Sequence, residues 1–379
     1  MTQDIADEPL LLTPGPCSLS RTVKEAMLHD YASGEEVMVE KIRHCRSTLL
    51  DLVNGHGSHT AVPIVGSGTY ANEAAIGTLV PRDGKLLVHT NGVYGDRIVD
   101  IARHLRIPYA SFRTAPFTPP TAEQFEEALA ADPAITHVMV VHCETSTGIL
   151  NPVAEIAAVC RRRGVGLLID AVASFGIMEL DAKALSYDAV VLSANKGIQA
   201  PPGIAWVIAK RTVLEESQGN SPSLSLDLWD QYQHIERTNH FRFTPATHLI
   251  LAFSQALKEH AEEGGIAGRQ ARYRASWRRL VDGMRQMGFR TLLDDAVASP
   301  IVATFHEPQD ENYSFARLYA GMKARGFIIF PGRLAAANTF RIACIGVVTP
   351  DDIARAMEAL AETMAEMGVR SFGREPVPA

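Results

Sequence analysis

Short runs of apolar residues alternate along the chain with longer stretches in which apolar positions recur every three or four residues. The runs predict buried strands, and the stretches predict amphipathic helices. Strands are expected at Lys85–His89 (KLLVH), His137–His142 (HVMVVH), Val165–Asp170 (VGLLID), Ala189–Leu192 (AVVL) and Ile204–Ala209 (IAWVIA). Helices are expected from Tyr70 to Leu79, over Asp96–His104, and over Ala154–Arg163 with Gly164 as the stop signal. Strands this uniformly apolar are covered on both faces. Helical stretches between them imply crossovers and parallel pairing. The pattern therefore predicts an α/β fold with a doubly covered sheet.

The pattern changes near residue 220. Asn220–Asp227 (NSPSLSLD) reads as a polar loop, and a long helical region follows from Thr247 to Met287. Its Arg269, Arg272, Arg274, Arg278 and Arg279 are expected on a solvated face. Short strands at Ser299–Phe305, Phe327–Phe330 and Phe340–Ile345, separated by helices, predict a smaller α+β unit. The tail from Gly373 is expected to be poorly ordered.

Composition narrows the class. A chain of 379 residues corresponds to two or three domains at about 150 residues each. Its 46% apolar and 21% charged residues are ordinary globular usage. The net charge of −7, with both signs interspersed, leaves no footprint for nucleic acid or an anionic membrane. No apolar run approaches the roughly 18 residues of a membrane span. Five scattered cysteines without a CxxC pair predict neither a disulfide framework nor a zinc site, and fit a reducing compartment. MTQDIADEPL lacks the basic and apolar regions of a secretory signal, so a cytoplasmic protein is expected.

Five segments carry candidate chemistry. Val65-Gly66-Ser67-Gly68-Thr69 precedes a helix. It is either an anion nest with phosphate chemistry or a Gly-rich turn capped by Thr69. Asp170 ends an apolar strand, where ligands of open α/β sheets bind; it is either a buried, partnered carboxylate or a cap. Lys196, in SANKG after the strand AVVL, is either a solvated loop residue or a desolvated nucleophile, since its immediate neighbours carry no charge. Arg341, between Phe340 and Ile342, is either half of a structural ion pair or a fork for an acidic substrate. The loop His142-Cys143-Glu144-Thr145-Ser146-Thr147-Gly148 crowds polar groups at another strand end. Its His, Cys and Glu do not form a metal set, because adjacent residues on an extended chain face opposite sides. No metal is expected.

The ordered set of nest, strand-end Asp, strand-end Lys and late Arg resembles the class V aminotransferase group of fold-type I pyridoxal-phosphate enzymes. The resemblance extends from LLTPGP to FRIACIG. It implies a mostly parallel seven-stranded-type sheet in a large cofactor-binding domain (21–265), a small C-terminal domain (266–379), and an N-terminal segment (1–20) packed on the small domain. Pyridoxal 5'-phosphate is the implied cofactor. By resemblance Lys196 carries it covalently and then moves the proton, and Asp170 keeps its ring nitrogen protonated. Ser67, Gly68 and Thr69 bind its phosphate, Tyr94 stacks on its ring, and Thr145 bonds near the ring hydroxyl. Thr244 reaches the phosphate of a neighbouring subunit, which implies a homodimer with shared sites. Arg341 binds the acid group of an amino donor or a 2-oxo acid.

LLLTPGP, TVKEAML, GSGTYANEAAIG, HCETSTGILNPV, SANKGIQAPPG, SLSLDLWDQY and FRFTPATHLILAFSQAL are similar to the 2-aminoethylphosphonate–pyruvate transaminase family. That similarity implies transfer of an amino group from 2-aminoethylphosphonate to pyruvate in phosphonate catabolism. The alternatives are a serine or alanine transaminase using glyoxylate or pyruvate, or a class V enzyme acting on a related aminophosphonate. A cysteine desulfurase needs a mobile Cys, whereas Cys344 lies in an apolar strand pattern. A non-catalytic scaffold would have lost Lys196 or Asp170.

Overall fold

The computed structural model describes residues 8–332, 334 and 337–371. The tail from Gly373 lies outside the described residues. The central sheet runs edge to edge through His59–Val65, Ile204–Lys210, Ala189–Ser193, Gly166–Asp170, His137–Val141, Leu86–Thr90 and Tyr109–Arg113. The last five of these pair in parallel. Ile204–Lys210 is antiparallel to both neighbours. The expected parallel pairing fails there for a topological reason: Ala194–Gly203 contains no helix, and a parallel connection needs a crossover of about a dozen residues.

The hydrophobic pattern misses both edge strands. His59–Val65 contains Pro63, which a sheet tolerates only at an edge. Tyr109–Arg113 has no fully buried residue, so no apolar run marks it. Within the sheet, alternation along the strands feeds two apolar layers. Leu167, Ile169, Val190, Leu192 and Trp206 belong to one. Leu168, Val191, Ala205 and Val207 belong to the other. Helices Glu36–Leu52, Val153–Arg163 and Thr247–Glu262 supply the first layer's other side; Gly68–Leu79 and Val93–His104 supply the second's. Trp206 is fully buried and stacks on Phe253 at 5.6 Å. Truncating such a ring costs about 3–5 kcal/mol.

A third apolar cluster joins Leu280, Met284, Phe305, Phe340 and Leu360 to Leu12 from the start of the chain. Its sheet is antiparallel, in the order Val302–His306, Thr339–Ala343, Phe330–Pro331. Leu10–Leu11 pairs in parallel with Phe327–Ile328. The helix Pro350–Met367 shows why its boundaries fall where they do. Thr349 and Asp352 form a capping box, Pro350 opens the first turn, and Gly368 closes the helix in the left-handed region.

The long helical region is two helices, Thr247–Glu262 and Gly265–Gln286. Gly264 and Gly265, at φ 96° and 65°, break it in a conformation that side chains resist. Arg274, Arg278 and Arg279 are exposed as expected, but Arg269 is buried and Arg272 half-buried. Position 269 begins the inward stripe that continues through Tyr273, Ser276 and Leu280, so its charge is turned into the protein.

Candidate active site

The carboxyl ends of the parallel strands open into a cleft. Asp170 is the last residue of its strand, and Lys196 follows the end of Ala189–Ser193. Thr145 follows the strand His137–Val141, and Tyr94 follows Leu86–Thr90. Ser67, Gly68 and Thr69 come from the turn after the edge strand. All seven line the cleft.

The nest is the start of the helix Gly68–Leu79, with Ser67 rather than Thr69 in the cap position. The Ser67 side chain makes no capping bond, so its hydroxyl and the first-turn N–H groups face an anion site with the helix dipole behind them. Asp170 is 5% exposed. Its carboxylate accepts from Val172 N–H at 2.9 Å and from Asn72 Nδ2 at 2.7 Å. Burial pushes its pKa up, against the pull of those bonds and of the Arg97 and Lys196 charges. A cation placed against this carboxylate is therefore strongly favoured. Lys196 extends its amine to the Pro14 carbonyl at 2.8 Å. Burial lowers the amine's pKa, opposed by Cys17, Asp170 and Cys143. That direction suits a nucleophilic, unprotonated amine.

Glu144, fully buried, ties two of these loops together. Its carboxylate accepts from the Tyr94 and Gly95 N–H groups at 3.0 and 3.2 Å and from Ser146 N–H at 3.2 Å, with the Ser146 hydroxyl as a further donor. It thereby caps the helix Val93–His104 and fixes the backbone that carries Tyr94. Arg97, one turn on, lies over the Tyr94 ring at 4.9 Å and donates to Thr69 Oγ1 at 3.4 Å.

Among the described residues Arg341 is not in an ion pair. Its Nη1 donates to the Thr145 carbonyl at 2.7 Å, its guanidinium lies over Phe330 at 4.8 Å, and its buried Nε has no partner. Its charge feels the buried Glu144 carboxylate without bonding to it, and Thr145, whose carbonyl it holds, lines the cleft although Arg341 itself does not. Thr244 does not enter the cleft; it lines surface cavities with Phe243, Tyr70 and Val65. Cys17 and Cys143 lie near Lys196, but burial pushes their thiols up to about 11 and about 12. Cys344 is buried and its thiol is also pushed up, which removes a mobile catalytic Cys there.

The cleft fits pyridoxal 5'-phosphate. It offers an anion nest, an amine of lowered pKa, a buried carboxylate with no ion-pair contact among the described residues, and an aromatic ring in one concave space. A family model for class V aminotransferases matches residues 24–318. The chain belongs to the class V aminotransferases. The 2-aminoethylphosphonate–pyruvate transaminase 2 of Burkholderia lata is 45% identical over 376 residues, covering 98% of this chain and 99% of that one. A 2-aminoethylphosphonate–pyruvate transaminase of Pseudomonas putida is also 45% identical, over 96% of this chain and 99% of its own. In fold, the chain is similar to pyridoxamine–pyruvate aminotransferase from Mesorhizobium loti, with a TM-score of 0.88 at 23% identity over 98% of this chain and 95% of that one. As a class V aminotransferase the chain is a pyridoxal-phosphate-dependent transaminase of fold-type I.

Sequence reasoning missed Asn72 and Arg97, and gave Glu144 no role beyond its place in the polar loop. Asn72 had a usable signal: it is a polar residue on a helix buried on nearly every side, where an unpaired amide is costly. Glu144 and Arg97 gave no signal of their roles, because the decisive partners, Tyr94 and Gly95 for Glu144 and Thr69 for Arg97, lie 28 to 50 residues away in sequence.

Proposed function

We propose that the chain moves the amino group of 2-aminoethylphosphonate to pyruvate, giving phosphonoacetaldehyde and alanine, as a step of phosphonate catabolism. The observation that carries this reading is the 45% identity to relatives of that name over nearly the whole chain. Pyridoxal phosphate, when bound, supplies an electron sink to the carbon that loses or gains the proton. The chain's own residues do the rest. Ser67, Gly68 and Thr69 bind the phosphate, Tyr94 covers one ring face, and Thr145 orients the ring hydroxyl. Asp170 holds a proton on the ring nitrogen. Lys196 binds the cofactor covalently, and its amine takes up and returns the proton of the carbon that bears the amino group. Arg341 receives the phosphonate and then the carboxylate, one after the other.

The same reading divides the chain into residues 1–20, 21–265 and 266–379, supported by the packing of Leu12 among the C-terminal apolar residues. It also makes the protein a cytoplasmic homodimer. Exposed Val65, Tyr70 and Phe243 form apolar surface around Thr244, and Thr244 of the partner subunit would complete the phosphate site. Five free, buried cysteines suit a reducing compartment. Among the described residues no helix is long and apolar enough to cross a membrane. A donor screen with pyruvate as acceptor tests the reading: 2-aminoethylphosphonate should yield alanine faster than serine or other α-amino acids. A faster α-amino acid would reject the phosphonate substrate and keep the transaminase.

A further inference from the structure

We propose that Glu263, Arg269 and Arg272 form a positioning network that holds Lys196 in register with Arg341. The inference rests on the roles proposed above for those two residues. Arg269 is 1% exposed and lies within 2.5 Å of Glu263 through Nε. Its Nη1 donates to the carbonyl of Gly197, the residue next to Lys196. The same position is closely packed: a Cβ at Gly197 would stand 2.7 Å from Ile177 Cγ1 and closer still to the Phe175 carbonyl oxygen. The Lys196 loop is thus tied to a buried guanidinium at a point where the chain has little room to move.

Arg272 carries the constraint to the substrate side. It binds the same Glu263 carboxylate through Nε at 2.7 Å, and Nη1 donates to the carbonyls of Gly346 and Val348 at 2.8 and 2.7 Å. Gly346 follows the strand that bears Arg341. A second tie runs in parallel: Gln199 donates to the Gly346 carbonyl and to the Tyr273 hydroxyl, both at 2.6 Å, and Tyr273 accepts from Gly346 N–H at 2.9 Å. The loop with the amine and the strand with the acid-binding Arg are therefore joined through one carboxylate and one helix. Buried ion clusters are often replaceable by apolar side chains without loss of stability. Here the cluster spends its donors on backbone carbonyls of two separate segments, which an apolar replacement could not align. Displacing a reacting group by about 1 Å can cost roughly 10²-fold in rate.

The test uses the full-length holoenzyme with Arg269→Met, Arg269→Lys and Arg272→Met. Arg269→Met should lower kcat about 10²-fold with KM for both substrates little changed. It should also move the pH titration of the lysine-bound cofactor's visible absorbance. Arg269→Lys keeps a charge for Glu263 but loses the fork, so it should recover part of kcat. Arg272→Met should chiefly raise KM for both substrates and leave the absorbance titration in place. Because Glu263 keeps one arginine in each single variant, neither leaves the carboxylate unpaired. Wild-type kcat and titration in the Arg269 variants, or equal effects at both arginines that track thermal stability alone, would overturn the proposal. So would failure of both Arg269 variants to fold, which would make the network a requirement of folding. Lys196→Ala with turnover retained would reject the underlying site instead, whatever the arginine variants do.

Discussion

The Lys196 amine donates to the carbonyl oxygen of Pro14 at 2.8 Å, so a segment from the start of the chain holds the side chain at the centre of the cleft. Among the described residues no other lysine lines that cleft. Lys196→Ala should abolish both the visible absorbance of the lysine-bound cofactor and turnover, while the fold survives. An absorbance scan and an alanine-formation assay check this; near-normal transamination in the variant would remove Lys196 from the chemistry.

Gly15, between Pro14 and Pro16, has φ +130°, and a Cβ there would stand 2.8 Å from both Cδ and Cε of Lys196. Gly15→Ala must therefore strain the backbone or displace the lysine. The expected outcome is a stability loss of about 1–3 kcal/mol together with a fall in kcat of about tenfold or more. Thermal melts and steady-state kinetics read the two separately. Unchanged kcat would show that the segment does not constrain the amine.

Asp170→Asn should leave a folded enzyme that binds cofactor. The new amide nitrogen needs an acceptor, and the buried Asn72 Oδ1, which has no partner, can supply one if the Asn72 amide turns over. A neutral amide cannot hold a proton on the ring nitrogen, so turnover should fall by roughly 10²–10⁴-fold. Cofactor titration and single-turnover rates check both halves. A rate equal to wild type would exclude Asp170 from proton chemistry.

Glu263 links acidity to stability. Burial raises its pKa, but its bonds to Arg272 and the charges of Arg269 and Arg272 outweigh burial, and the net shift is downward. A carboxylate lowered in the folded state stabilises fully above the unfolded value of about 4.3, and that stability is lost as pH falls through the folded value. Glu263→Gln leaves buried Arg269 without its counter-charge, at a cost of about 3–5 kcal/mol near neutral pH. The difference in melting temperature between wild type and Glu263→Gln should shrink as pH falls below the ordinary carboxylate range. A gap that stays constant with pH would sever this link.

The parts of the fold that rest on local pattern were legible in the sequence. Leu167, Leu168 and Ile169 announce a strand because both faces are buried, and Asp170 stands out because a charge follows them. Gly164 ends its helix at φ 65°, as a glycine after three arginines implies. What was not legible depends on partners distant in sequence. Arg269 looks like its exposed neighbours until the helix's inward stripe is placed against the Lys196 loop. Pro14 has no chemical signal of its own; only the pairing of Leu10–Leu11 with Phe327–Ile328 helps bring that segment to the cleft. The antiparallel Ile204–Lys210 was readable in principle, from the missing helix before it rather than from its own apolar run.

Arg341 carries the prediction that separates substrate classes. A transaminase binds its two substrates in turn at one site, here a phosphonate and then a carboxylate. One guanidinium can pair with either through a bidentate fork. In the structure Nη1 is engaged by the Thr145 carbonyl, the guanidinium lies over the ring of Phe330, and among the described residues no carboxylate bonds to it. The carbonyl and the ring orient the fork without neutralising it. Arg341→Lys keeps the charge and loses both the fork and the planar stacking, so it is not conservative. Both half-reactions should weaken, each by about 1.5–3 kcal/mol for a charged hydrogen bond lost, which is roughly tenfold to a hundredfold in kcat/KM. The phosphonate, a dianion, needs more positive potential than the carboxylate does, so its half-reaction should lose more. Arg97, held over the Tyr94 ring beside Thr69, is the other cation lining the cleft besides Lys196. Single-turnover changes in the cofactor's absorbance, followed with 2-aminoethylphosphonate and with alanine in both proteins, measure the two losses. Equal rates in wild type and variant would remove Arg341 from substrate binding. A loss confined to alanine would assign it to the carboxylate alone and move the phosphonate contact elsewhere, with Arg97 the first residue to replace.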